Sequence, residues 1–259
     1  MARFRGRIWK SLLGAAGMLS LVMAGPPWTT AIAQDEKGRM DDKALTALKT
    51  MSDYLGGSKA ISFRARTFYD VVRESGIKLK AGRASIVSLK RPNQLSIRSE
   101  SDDGSAATIW YDGSKLTLWS RHTNEVMSLE FSGTTDKMLA HLIDKYDVQI
   151  PLSDLFYSDI KSTFKDDLLS AEYVGIRVVD GVKCHQLSFE SPGVDWQLWI
   201  EADATPVPRR VVMDFVADEN KPQYMAELSA WSVDGEIDSY NFVAAVPEST
   251  KKIDFKLKP

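Results

Sequence analysis

Apolar and polar residues alternate along this chain in three different rhythms. The first is a block. Arg3, Arg5, Arg7 and Lys10 precede an uncharged stretch from Ser11 to Gly25 that carries Leu12, Leu13, Met18, Leu19, Leu21, Val22 and Met23. Ala31-Ile32-Ala33 follows as a small-x-small site. This order is that of a secretory signal over residues 1–33, cleaved to leave Gln34 first. A membrane anchor is the alternative, but the apolar run is about 15 residues and a spanning helix needs roughly 20. The signal predicts a periplasmic or extracellular protein with no stable membrane insertion.

The second rhythm is helical. Asp41 and Asp42 stand before Ala44, Leu45, Leu48, Met51 and Leu55, which share one helix face, and Gly56-Gly57 ends the pattern. A helical insertion is expected over about 134–167. Thr134 or Thr135 caps a helix with Met138, Leu139, Leu142, Ile143 and Tyr146 on one side. Pro151 is expected to open a second helix whose apolar side is Leu152, Leu155, Phe156 and Ile160.

The third rhythm has period two and predicts strands. It runs from Lys59 to Glu130, as in Ile61-Phe63-Ala65 and Leu116-Leu118, and returns from Ala171 onward. Asp103-Gly104, Asp112-Gly113, Asp180-Gly181 and Asp234-Gly235 are turn signals, because tight hairpins need positive φ. Arg91-Pro92-Asn93 interrupts a ladder and predicts a bend or an edge. Residues 34–259 are therefore expected to form a single α+β domain with an antiparallel sandwich, barrel or strongly curved open sheet.

Charge changes the picture once the signal is removed. Taking four basic residues from 33 leaves 29 against 35 acidic ones, a net of −6. That balance argues against nucleic acid as a partner. The single cysteine, Cys184, excludes an intramolecular disulfide, and no cysteine near the apolar block offers a lipid anchor.

Catalytic motifs are missing. The chain has no Gly-x-Ser-x-Gly elbow, zinc-protease helix, phosphate loop or calcium loop. Cys184 and His185 are adjacent in a strand and should point to opposite faces. The chain is expected to be no enzyme and to use no metal or cofactor, with a hydrolase of unrecognised site as an alternative.

Strands rich in large apolar groups on both faces are the more distinctive feature. Trp196, Leu198 and Ile200 share one face and Trp199 stands on the other, while Val211, Met213 and Phe215 oppose Val212 and Val216. Either this is an ordinary two-layer core, or one face lines an apolar cavity. The candidate cavity residues are Trp110, Trp119, Trp196, Trp199, Met213 and Phe215. Leu139, Leu142, Ile143, Leu155 and Phe156 are expected to line a lid.

A family resemblance enters at Leu89-Lys90-Arg91-Pro92-Asn93 and Ile109-Trp110-Tyr111-Asp112-Gly113-Ser114-Lys115-Leu116. In their order after a signal, a helix and a long strand pair, these segments resemble the LolA-type periplasmic lipoprotein carriers. The chain is also similar to a family of predicted periplasmic proteins of unknown function that shares the carriers' fold. The resemblance implies an incomplete, half-open β-barrel with helices as a lid over the concave face. It implies an apolar ligand, a lipid or the acyl chains of a lipoprotein, and a monomer. Arg91 stands at the position of the family's lid latch. An envelope sensor that binds a partner protein is the alternative role for the same fold. The chain departs from the carriers in its greater length and large insertion.

Overall fold

The computed structural model describes residues 38–160, 162 and 168–257. The signal expected over residues 1–33 lies outside the described residues.

Asp41 caps the first helix, α1 (Asp42–Gly57), by accepting from the Lys43 N–H at 2.8 Å. The predicted stripe is its buried face: Ala44, Leu48, Met51 and Leu55 are all sealed from solvent. Six strands follow as consecutive antiparallel neighbours: β1 (Ala60–Val72), β2 (Lys78–Lys90), β3 (Gln94–Ser101), β4 (Ala106–Tyr111), β5 (Lys115–Ser120) and β6 (Glu125–Glu130). The chain then leaves the sheet for α2 (Thr135–Tyr146) and the segment that follows it. It returns in β7 (Ser170–Val179), β8 (Val182–Ser191), β9 (Val194–Glu201), β10 (Pro208–Asp214) and β11 (Gln223–Val233), and ends near β12 (Lys251–Ile253).

All twelve strands make one curved sheet in the order β12-β6-β5-β4-β3-β2-β1-β11-β10-β9-β8-β7. β11 pairs with β1, so the two halves of the chain are joined in the middle of the sheet. Among the described strands β12 alone pairs in parallel, against β6. β7 and β12 do not meet, and the barrel stays open. Both helices lie on one face. α1 covers β7, β8 and β9, and the buried residues of α1, α2 and the inner sheet face form one core. Among the described residues no helix is long and apolar enough to cross a membrane.

Turn chemistry decides the hairpins. Asp180 and Gly181 both take positive φ, 47° and 80°, and join β7 to β8 in two residues. Arg91-Pro92-Asn93 is the β2–β3 turn, not an edge, and its Pro92 carbonyl accepts from the first turn of α2 at Thr135 N–H. Asp234 takes φ 56°, but the strand that follows it in the chain, β12, does not pair with β11, so no hairpin forms there. Its carboxylate accepts from Lys59 and Ala60 N–H groups instead, fastening the end of β11 to the start of β1. The following segment crosses the outer face, where a short turn at Ser239–Phe242 packs on β3 and Asn241 accepts from Arg98 at 3.2 Å.

The second helix predicted from Pro151 does not start there. Leu152 has φ +63°, which a helix cannot include, and a single 3-10 turn, Ser153–Leu155, stands in its place; helical backbone among the described residues is met again at Ile160 and Ser162. Asp147, also left-handed, ends α2, and Val148 N–H closes back on Leu142 O. The chain is thereby bent across the sheet in place of continuing as a helix.

At the other end of this segment, a Cβ on Gly56 would meet the Ser158 carbonyl oxygen at 2.5 Å, whereas one on Gly57 would meet nothing within 4 Å. Gly56→Ala is expected to cost about 1–3 kcal/mol by forcing the backbones apart. Gly57→Ala is expected to be neutral or slightly stabilising, because alanine is the better helix former by up to about 1 kcal/mol. Urea midpoints of the two variants check this, and equal midpoints would remove the close approach.

Candidate functional site: a lidded cavity on the concave face

Strand register determines what each residue can line. Ile61, Leu89, Leu95, Tyr111, Leu116 and Leu129 are cross-strand partners and form one row across the inner face. The next inner row is Phe63, Val87, Ile97, Ile109, Leu118 and Met127. These two rows are apolar, and Leu139, Leu142, Leu155 and Phe156 from the lid side share their core. Trp231 reaches that core because β11 bulges after Ser229; Ala230 takes φ 51° and Trp231 stacks on Phe63 at 4.4 Å.

The third row is Ala65, Ser85, Ser99, Ala107 and Ser120. Its side chains are small, so the space above them is not filled. A cavity of about 330 Å³ remains there, within the roughly 300–1,000 Å³ range of ligand pockets. Val148 to Leu152 form its roof, Ile97, Ile109 and Leu118 one wall, and Thr67, Arg83, Ser101 and Tyr224 the opposite one.

One side chain fastens the roof segment to the scaffold. The Arg91 guanidinium donates to Ser58 O at 3.1 Å and Leu55 O at 3.5 Å, both at the end of α1. It also donates to Phe156 O at 2.6 Å and Tyr157 O at 3.0 Å on the roof segment. Burial pulls this guanidinium below its ordinary value, and nearby Asp136 works in the opposite direction. Asp136 accepts from the backbone N–H and hydroxyl of Ser158, so α2 holds the same stretch from its other side.

The predicted cavity residues divide by register. Trp196 and Met213 are cross-strand partners on the inner face, and Phe215 joins the same core. None of the three lines the cavity. Trp196 stacks on Phe189 at 4.1 Å and is packing. Trp110, Trp119 and Trp199 have the opposite parity and lie on the outer face. Trp110 pairs with Ser96 and Thr117 there, and stacks beside Trp119 at 6.4 Å between centroids. Trp199 belongs to a small outer cluster with Val179 and Cys184, with the Arg210 guanidinium 5.7 Å over its ring. Of the lid residues, Ile143 is half-exposed and outside the core, while the other four are buried. Among the residues that do line the cavity, Arg83 and the small third row carry no strong hydrophobic signal. Knowing the parity of β3 to β5 would have found them, since Ile109 and Trp110 cannot face the same way.

A second concavity of about 510 Å³ opens to solvent between α1 and the far ends of β7 to β9. It contains the Tyr173 hydroxyl, 2.9 Å from His185 Nδ1, and the charged groups Lys43, Glu201 and Asp203. Cys184 and His185 do point to opposite faces, and burial pushes the Cys184 thiol up, away from nucleophilic use.

The roof segment carries its own titrating group. Burial pushes the Asp154 carboxyl up from 3.8 to about 6. The folded state therefore binds the extra proton between those values. The stability this group contributes is full below the lower value and is lost as pH rises through the upper one. Asp154→Asn is expected to be more stable than the parent near pH 7.5, with the gap closing toward pH 4. Paired denaturant melts across that range check the sign, and a gap that widens on acidification would refute it.

The model of a family described as a predicted periplasmic protein, DUF2092, matches residues 44–256. No curated protein matches the sequence. Among solved structures, an uncharacterized conserved protein from Thermus thermophilus aligns with TM-score 0.47 at 10% identity, over 82% of this chain and 99% of its own. Lipoprotein LppX of Mycobacterium tuberculosis aligns with TM-score 0.44 at 14% identity, over 77% and 100%. A LolA superfamily protein from Nitrosomonas europaea aligns with TM-score 0.40 at 10% identity, over 78% and 97%. With nearly its whole length after residue 43 matched by that family model, this chain belongs to the DUF2092 family of predicted periplasmic proteins.

Proposed function

We propose that this protein is a periplasmic, non-catalytic binding protein, exported by residues 1–33, that holds a lipid or an acyl chain in the cavity beneath Val148 to Leu152. The observation that carries the reading is the third row of the sheet. Five small side chains, Ala65, Ser85, Ser99, Ala107 and Ser120, leave a hollow of about 330 Å³ under a segment that is pinned at one end. A sheet that served packing alone would fill such a row, because protein interiors are normally close-packed.

The apolar rows beside the hollow suit a hydrocarbon, and the family description suits the compartment. Leu139, Leu142, Leu155 and Phe156 occupy the space that a longer ligand would claim. Entry of the ligand would lift them, so the affinity is the ligand's burial less the burial the lid gives up. Arg91, with four carbonyls across α1 and the roof, would hold the closed state.

Native mass spectrometry of protein released gently from the periplasm, followed by solvent extraction, tests the reading. A co-purifying lipid or acyl compound is expected, and it should be lost in Ala107→Phe, which fills the hollow from a strand that needs no repacking. A parent protein that carries nothing and takes up no added lipid would overturn the proposal. Arg91→Leu is expected to accelerate ligand release by about tenfold, the effect of losing roughly 1.4 kcal/mol of lid closure. Unchanged release in stopped-flow displacement would remove the latch.

A further inference from the structure

The walls of the cavity are chemically unequal, and the inequality follows strand register. Beyond the two apolar rows come the small row, which includes three serines, and then Thr67, Arg83 and Ser101 as the next cross-strand partners. Polarity thus rises along the strands from the lid-packed end toward the opposite end, from the small row on β2, β3 and β5 and one row later on β1. Ser85 and Ser99 already share a hydrogen bond at 3.0 Å across this row. The gradient ends in one cation, Arg83, on the inner face of β2.

Arg83 is half-buried and incompletely satisfied. Its Nε donates to Ser101 Oγ at 3.2 Å, and it forms no ion pair among the described residues. Asp103, an acid that feels its charge, is exposed in the β3–β4 turn and is engaged by Ser105, and the neighbouring Asp102 carboxylate accepts from the Gly82 N–H. Neighbouring cations are placed differently. Lys78 and Lys80 on β2 both pair with Asp70, and Arg91, just past the end of β2, is spent on carbonyls. A guanidinium has five N–H donors in a fixed fork that matches a carboxylate or phosphate, and partial burial without a counter-ion is costly.

We infer that the cavity takes an amphiphile with an anionic head group, whose hydrocarbon lies against Ile97, Ile109, Leu118 and Ile150 and whose head group is received by Arg83 with Ser99 and Ser101. The inference deepens the binding role proposed above and rests on it. It narrows the cargo from any apolar chain to an acid or a phosphate ester of one. The neutral hydroxyls supply hydrogen bonds that many head groups could use, and Arg83 supplies the charge selectivity.

The test is a comparison of three probes of equal chain length on the delipidated full protein: dodecanoate, dodecyl phosphate and 1-dodecanol, by isothermal titration at pH 8. At least one anionic probe is expected to bind about tenfold or more tightly than the alcohol. Which anion is preferred separates a carboxylate cargo from a phosphate one. Arg83→Met is expected to abolish that preference, and Arg83→Lys to restore part of it. Equal binding of all three by the parent protein would overturn this inference and leave the binding role intact. So would a preference that survives in Arg83→Met. Binding of none of the probes would overturn both. Because the parent's own selectivity is the first readout, the result does not depend on a variant folding.

Discussion

The arrangement over the concave face depends on one half-buried guanidinium. Arg91 sits in the β2–β3 turn, where three separate pieces of backbone converge: the end of α1, the start of α2 and the segment after the 3-10 turn. Helix ends leave carbonyls without partners, and those of α1 here point into the interior. A fork of N–H donors answers several of them at once, which no apolar or short polar side chain could do. The cost of burying the charge is offset by the number of carbonyl dipoles it meets and by the nearby Asp136 carboxylate. Remove that group, and the carbonyls of Ser58, Phe156 and Tyr157 would lose this donor, while that of Leu55 would keep only the Ser58 N–H. Gly56 belongs to the same constraint, since only the absence of a side chain lets Ser158 come so close.

The hollow has a different origin. It comes from side-chain volume at fixed register. Cross-strand partners on one face are locked together, so a row of small residues at the same level on neighbouring strands subtracts volume at one place. The same lock sorts the aromatics. Phe63 and Tyr111 are inner and buried, while Trp110, between Ile109 and Tyr111, has to be outer. On the outer face the Ser239–Phe242 turn packs on β3, Trp110 stacks beside Trp119 and Arg210 lies over Trp199, so a sheet with one lidded face still carries apolar groups on both.

Much of this architecture was legible in the sequence, and the reason is periodicity. The α1 stripe, the two blocks of strands, the Asp180-Gly181 hairpin and the helix after Thr134 all express local rules. The half-open barrel came from the order of elements and the LolA-like segments around Arg91. What was not legible depended on parity and on backbone conformation. Large apolar residues mark a buried position without saying on which face, and three of the six residues expected in the cavity fell on the outer side. Pro151 is a good first residue for a helix, but Leu152 in the left-handed region turns the chain flat across the sheet. The lining residues that matter most, Ser85, Ser99, Ala107 and Arg83, look like ordinary strand surface when read one at a time.

The fixed lid end and the small-residue hollow together define how the site could open. Arg91 anchors the segment near Phe156 and Tyr157, whereas the roof itself, Val148 to Leu152, lies on the preceding stretch, bounded by two left-handed residues, Asp147 and Leu152. A ligand that fits the hollow touches the roof and leaves the anchor alone. A longer one must move Leu155 and Phe156, which sit next to the carbonyls that Arg91 holds. Chain length would therefore be felt at the latch, and head-group charge at the other end of the cavity. The two discriminations act on opposite ends of one ligand, through residues that share no contact, so each can be tuned by substitution without disturbing the other.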